Sequence, residues 1–144
     1  MIKVFVEAGS ETPRRMVRQV GCVMEWTNGS TRTALGKKEG TYNEAIIKTL
    51  LDVFKRMPYK TKIELHSKNA YVLNMISTNL PEWKRAGWKK KDGKPVASAE
   101  LWQELEKHMK GHEVITFPGQ HEYYKWMVDT MRRQDGNPEK NDKH

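Results

Sequence analysis

The chain has a single cysteine, Cys22, so no disulfide can form within it and nothing in its composition calls for an oxidising compartment. A buried structural thiol is the expectation. Long apolar runs are also missing. The N-terminal stretch Met1-Ile2-Lys3-Val4-Phe5-Val6-Glu7 is too short for the apolar region of a signal peptide and far too short for a membrane span. A soluble, cytoplasmic protein without a membrane partner is therefore predicted. Acidic residues are in deficit: 18 Asp and Glu stand against 26 Lys and Arg, for a formal net charge of +8. Such a surplus favours a polyanionic partner through counterion release, with nucleic acid the leading class and a merely soluble basic protein the alternative. A length of 144 residues suffices for one hydrophobic core and not for two.

What is present reads as alternating strands and helices. Ile2, Val4 and Val6 alternate with Lys3, Phe5 and Glu7, the period of a strand. After a turn with Gly9, Ser10 and Pro13, residues 16–26 read as a second strand. The cluster Thr27-Asn28-Gly29-Ser30 turns the chain into a third, antiparallel strand over residues 31–36. Thr41 or Asn43 is placed to cap a helix whose apolar positions Ala45, Ile46, Leu50, Val53, Phe54 and Met57 recur at helical spacing before Pro58. A short strand at residues 62–66 and a helix over 69–77 follow, then a short helical piece and a Lys-rich loop within residues 79–97. Ser98 is the expected N-cap of a helix over residues 99–110, stopped by Gly111. Residues 112–117 form a fifth strand, and a last helix starts near His121. Residues 133–144 are polar with Gly and Pro and without an apolar anchor, so a domain over residues 1–132 with a disordered tail is predicted. The element order is that of an α/β fold with a mixed five-stranded sheet.

Residues 83–105, WKRAGWKKKDGKPVASAELWQEL, carry the most specific pattern in the chain. Here Trp83 and Trp88 flank basic residues in a W-K-x-x-G-W-K core that leads to Lys94-Pro95-Val96 and then to Leu101-Trp102. This stretch resembles the basic protrusion of type I ribonuclease H. Other pieces fall in that family's order: Glu7 with Gly9-Ser10, Thr41-Tyr42-Asn43, Asn69-Ala70-Tyr71-Val72 and Gly119-Gln120-His121. The resemblance covers roughly residues 2–133 and implies the RNase H-like fold with strand order 3-2-1-4-5. It further implies an RNA/DNA hybrid or duplex as partner. Lys84, Arg85, Lys89, Lys90, Lys91 and Lys94 would meet duplex phosphates, opposed only by Asp92. The tryptophans are expected to pack the protrusion's helix onto its loop, and Trp102 to lie in the core.

The family's chemistry uses clustered carboxylates to hold two divalent ions about 4 Å apart, Mg²⁺ or Mn²⁺, which need oxygen ligands. Four acids are implied, at the end of the first strand, in the first helix, after the fourth strand and in the last helix. Carried over, the first falls on Glu7, longer than the family's Asp. The second falls on Ile46, which cannot ligate a metal, and Glu44 lies two residues back, about 200° around the helix. The third falls on Lys68, a charge inversion that suggests an ion pair with Glu7. The fourth falls on Asp129 or Val128, with Asp129 preferred because Met131 then fits the next apolar position. Glu7 and Asp129 are thus the candidate catalytic and metal-binding pair. The family's loop histidine matches Gln120 or His121.

Two of four acids replaced predicts a dead or severely weakened site, with divalent metal needed only if activity remains. The primary expectation is a non-catalytic nucleic-acid-binding domain. The alternatives are a working endoribonuclease that cuts the RNA strand of a hybrid with Glu7, Asp129 and a substitute such as Glu44, and a protein-interaction scaffold. Glu64, His66 and His112 are read as satisfied or solvated side chains. Tyr123, Tyr124 and Trp126 either line a duplex groove or pack the last helix.

Overall fold

In a computed structural model, which describes residues 1–135, five strands form one mixed sheet of order β3-β2-β1-β4-β5, the order the resemblance implies. Strands β1 (Ile2–Ala8), β2 (Met16–Trp26) and β3 (Thr31–Gly40) form an antiparallel meander, while β4 (Lys62–Ser67) runs parallel to β1 and β5 (Glu113–Pro118) parallel to β4. The helices are α1 (Tyr42–Lys55), α2 (Ala70–Asn74), α3 (Leu80–Arg85), α4 (Ala99–Met109) and α5 (Tyr124–Asp135). Among the described residues no helix is long and apolar enough to cross a membrane.

The alternation of β1 decides where the site lies. Ile2, Val4, Val6 and Ala8 join the main core with Ala45, Ile46, Leu50 and Phe54 of α1. Phe5 points the other way, into a smaller cluster with Val23, Met127 and Met131 under α5. Since side chains alternate along a strand, Glu7 shares the face of Phe5 and lies beneath α5. Opposite Glu7 in the register is Gly21, where a Cβ would stand 3.4 Å from Met127 Cε and 3.0 Å from a Leu35 methyl. The missing side chain lets α5 settle close to β2.

Several expectations are corrected. Strand β3 runs on to Gly40 rather than stopping at residue 36, because β2 is long enough to pair with all of it, from Met16↔Gly40 to Glu25↔Thr31. The helix expected over 69–77 is interrupted by a π-helical turn, Met75–Asn79, that leads into α3. Pro81 is tolerated there because it sits in the first turn of α3, where a missing N–H loses no helical bond. Ser98 stands at the N-cap of α4 as expected, but its backbone is left-handed (φ 56°) and its hydroxyl makes no capping bond, contacting Glu44 Oε2 at 3.4 Å instead. The tail was expected from residue 133, yet α5 continues through Asp135. The rest of that expectation lies outside the described residues. Thr41, not Asn43, caps α1, and Glu44 returns the bond to the Thr41 N–H to complete a capping box. Cys22 is buried as expected, and burial pushes its thiol up to about 11.

Candidate functional site

Glu7, at the C-terminal end of β1, is 1% exposed. Its Oε2 accepts two hydrogen bonds, from the backbone N–H of Lys68 at 2.8 Å and from His121 Nε2 at 2.8 Å. The ring's other nitrogen, Nδ1, accepts from the Tyr123 N–H at 3.2 Å, which fixes the tautomer with the proton on Nε2. His121 is nearly as buried as its partner, with 3% of its side chain exposed, and it stands 5.1 Å from the ring of Phe5. One carboxylate thus ties together the ends of β1 and β4 and the segment before α5.

Beside this network lies a cavity of about 310 Å³ lined by Glu7, Glu11, Tyr42, Tyr124, Val128 and Arg132, among others. Its α5 wall follows from helix geometry, since positions 124, 128, 131 and 132 share one face. Tyr42 stays protonated: burial raises its pKa first, and the charges of Glu7 and Glu11 add to the effect. Buried Arg18 shapes the loop that closes the cavity, donating to the backbone carbonyls of Gly9, Ser10, Thr12, Arg14 and Gly40. The sequence signal for Arg18 is a cation set within the mostly buried strand β2.

The basic segment is a tight loop held by its own backbone. Lys89 bridges to Pro95, Lys90 N–H donates to Lys94 O at 2.8 Å and Gly93 N–H to Lys90 O at 2.9 Å. Trp88 is left-handed (φ 66°), a strained conformation for a bulky residue. Its N–H reaches Trp83 O at 2.7 Å and its carbonyl accepts from Val96 at 3.1 Å, while both tryptophans pack on the main core. Trp83 also approaches Trp102 at 5.8 Å between ring centres. Lys84, Arg85, Lys89, Lys90, Lys91 and Lys94 are all exposed, although Lys84 is paired with Glu106 at 2.8 Å.

Residues 2–117 match the family described as RNase H. The chain belongs to the RNase H family. It is 31% identical over 94 residues to a ribonuclease H of Brucella ovis, a match spanning 65% of this chain and 61% of that protein. A ribonuclease H of Mesorhizobium japonicum is 30% identical over 94 residues, covering 65% of this chain and 53% of its own. The chain thus spans less than two thirds of the length of these relatives. Among solved structures, LC9-RNase H1, described as a type 1 RNase H with the type 2 active-site motif, superimposes with a TM-score of 0.73 at 16% identity, over 94% of this chain and 72% of that one. A foamy viral protease-reverse transcriptase in complex with dsDNA gives 0.67 at 14% identity, over 92% and 90%. These similarities establish the RNase H fold.

At the positions the resemblance implies for the acids, the side chains are as follows. Ile46 is fully buried in the main core. Glu44 does not face Glu7: it is engaged by its capping box, by Arg15 at 3.0 Å and by Ser98. The suggested ion pair between Lys68 and Glu7 is corrected, because only the Lys68 backbone N–H reaches Glu7. Its ammonium contacts the Tyr124 hydroxyl at 3.3 Å, lies 5.1 Å over the Tyr124 ring and stands 3.9 Å from Glu11. The preference for Asp129 is also corrected: Val128 lines the cavity with Glu7, and Asp129 lies about 100° further round α5. Among the described residues no group of three or more His, Cys, Asp or Glu is placed to hold a metal.

The remaining candidates separate by environment. Of the alternatives for the loop histidine, His121 binds Glu7, while Gln120 is exposed. His66 is stacked between Phe5 at 4.6 Å and Phe117 at 4.8 Å, and its Nε2 is 3.5 Å from Glu64. Burial lowers its pKa, partly offset by Glu64. His112 is bonded to the backbone of Thr61. Tyr123 packs with Phe5 and donates to Glu25 at 2.6 Å, Tyr124 lines the cavity, and Trp126 is exposed.

Proposed function

We propose that this chain binds RNA/DNA hybrid or a related nucleic-acid duplex and that hydrolysis by it is absent or severely weakened. One observation carries the reading: of the carboxylates at the positions the resemblance gives to the family's acids, Glu7 lines the cavity and already accepts two hydrogen bonds on one oxygen, while the second and third positions fall on Ile46 and Lys68, and at the fourth Val128 rather than Asp129 lines the cavity. Two divalent ions need several hard oxygen ligands. An isoleucine and an ammonium at such a site do not meet that need. The grip is supported by the exposed lysines of residues 89–94, each able to neutralise a phosphate, and by the two foamy viral reverse transcriptase structures of the same fold, one in complex with dsDNA and one with RNA/DNA hybrid. The ligand is bound as a shaped duplex, with backbone contacts setting register and no base-specific reading implied.

The test is a labelled hybrid assayed for binding and cleavage together, with Mg²⁺, with Mn²⁺ and with EDTA. Salt-dependent binding without metal-dependent cleavage is expected. Family membership favours the second reading, a working hybrid-cutting nuclease. Metal-dependent cleavage by the parent protein that is lost in the folded Glu7→Gln variant would establish that reading over ours.

A further inference from the structure

A two-metal site neutralises the backbone phosphate it acts on as well as activating water. We propose that the Lys68 ammonium takes over the first of these tasks alone, receiving one backbone phosphate of the bound duplex so that the grip at this site needs no divalent cation. The inference rests on the duplex-binding reading above and goes beyond it by assigning a phosphate site and its cation.

Position comes first. The backbone of Lys68 is pinned to the end of β1 by its N–H bond to Glu7 at 2.8 Å, so its side chain begins where the family's third acid would begin. The ammonium is then held at the cavity rim by Tyr124, through the hydroxyl at 3.3 Å and the ring face at 5.1 Å. Tyr124 and Glu11, its two neighbours, both line the cavity, as does a second cation, Arg132.

Availability comes next. The ion pair with Glu11 is long, 3.9 Å, and both partners are open to solvent, with side-chain exposures of 40% and 58%. Such a pair is weak and exchangeable, so a phosphate oxygen can displace the Glu11 carboxylate. The other acid facing the cavity, Glu7, is 1% exposed and its Oε2 is covered by His121 and the Lys68 N–H. An ammonium keeps three donors on a flexible stem and binds phosphate as a point charge. It supplies neither a metal-bound hydroxide nor a Lewis acid for the leaving oxygen. The substitution therefore fits a site that holds the strand without cutting it.

The experiment is hybrid binding by the full chain, at matched ionic strength with Mg²⁺ or with EDTA. The wild type, Lys68→Met, Lys68→Gln and Lys68→Arg are compared on hybrids carrying a single methylphosphonate at each position in turn. The wild type should bind equally in both buffers. Lys68→Met and Lys68→Gln should weaken binding about 3- to 10-fold and lower the slope of log K against log salt by about one, with Lys68→Arg retaining both. One methylphosphonate position should weaken the wild type and have no further effect on Lys68→Met or Lys68→Gln. Thermal unfolding matched to the wild type confirms that a variant is folded, and two neutral variants guard against one that is not. Unchanged affinity and slope in both neutral variants, or wild-type binding that requires Mg²⁺, would overturn the phosphate site while leaving duplex binding intact. No binding by the wild type at low salt in either buffer would instead remove the duplex-binding reading on which it rests.

Discussion

Replacing Glu7 with alanine separates a structural carboxylate from a metal ligand by the sign of its effect on stability. Carboxylates clustered for metal binding repel one another in the metal-free protein, so removing one from such a cluster leaves stability unchanged or raises it. Glu7 stands in a different setting. Its Oε2 is the acceptor for the Lys68 N–H and for His121 Nε2, both at 2.8 Å, and Glu7 and His121 are 1% and 3% exposed in their side chains. Alanine leaves both donors without a partner in a place water reaches poorly, at about 1 to 3 kcal/mol each. The expected loss is about 2 to 6 kcal/mol, or a fall in Tm on the order of 10 °C for a domain of this size. Glu7→Gln keeps an oxygen that can take the place of Oε2 and forfeits only the charge assistance, about 1 kcal/mol. Urea and thermal unfolding of the wild type and both variants in EDTA give the comparison. A Glu7→Ala protein as stable as the wild type, or more so, would refute the reasoning and return Glu7 to the role of a free ligand.

Three further outcomes are expected. Burial holds the His66 pKa below its ordinary 6.5, so its neutral form contributes stability that is present above that value and lost as pH falls through the folded-state pKa. His66→Phe should flatten the decline between pH 7 and 5 in denaturation curves, and an unaltered slope would count against it. Gly40 has φ +142°, and a Cβ there would stand 3.0 Å from Glu44 Cβ and 3.1 Å from Glu44 Oε1. Gly40→Ala should therefore cost more than about 1 kcal/mol by strain at the capping box, with an unchanged Tm contradicting the argument. Changing Lys89, Lys90 and Lys91 together to alanine should lower the salt slope of hybrid binding by about 2 to 3. A slope equal to the wild type would show that these lysines make no phosphate contacts.

The element order was legible because local patterns carry it: period-two apolar residues in β1, helical spacing in α1, and the tryptophan and lysine spacing of residues 83–94. Even the environments of Trp83, Trp88 and Trp102 followed, since large rings beside cations have few other places to go. The errors fell where a choice depended on a neighbour distant in sequence. Asp129 and Val128 differ by one position along α5, and only the docking of that helix over Gly21 decides which one faces Glu7. Lys68 invited pairing with Glu7 on charge alone, yet its backbone takes the carboxylate and Tyr124, which is 56 residues away, takes the ammonium. Ser98 takes the N-cap position of α4 that the sequence indicates, but its left-handed backbone turns its hydroxyl toward Glu44 and away from the helix.

By itself, the sequence determined the order of strands and helices, the basic character and the family, because each is a property of the chain read locally or in order. What only the tertiary structure decided is which atom meets which. Glu7, His121 and the Lys68 N–H lie far apart in sequence, and their shared oxygen exists only once β1, β4 and the segment before α5 converge. Hydrogen bonds need atoms within about 3 Å and aligned, a precision that packing supplies and that pattern does not encode.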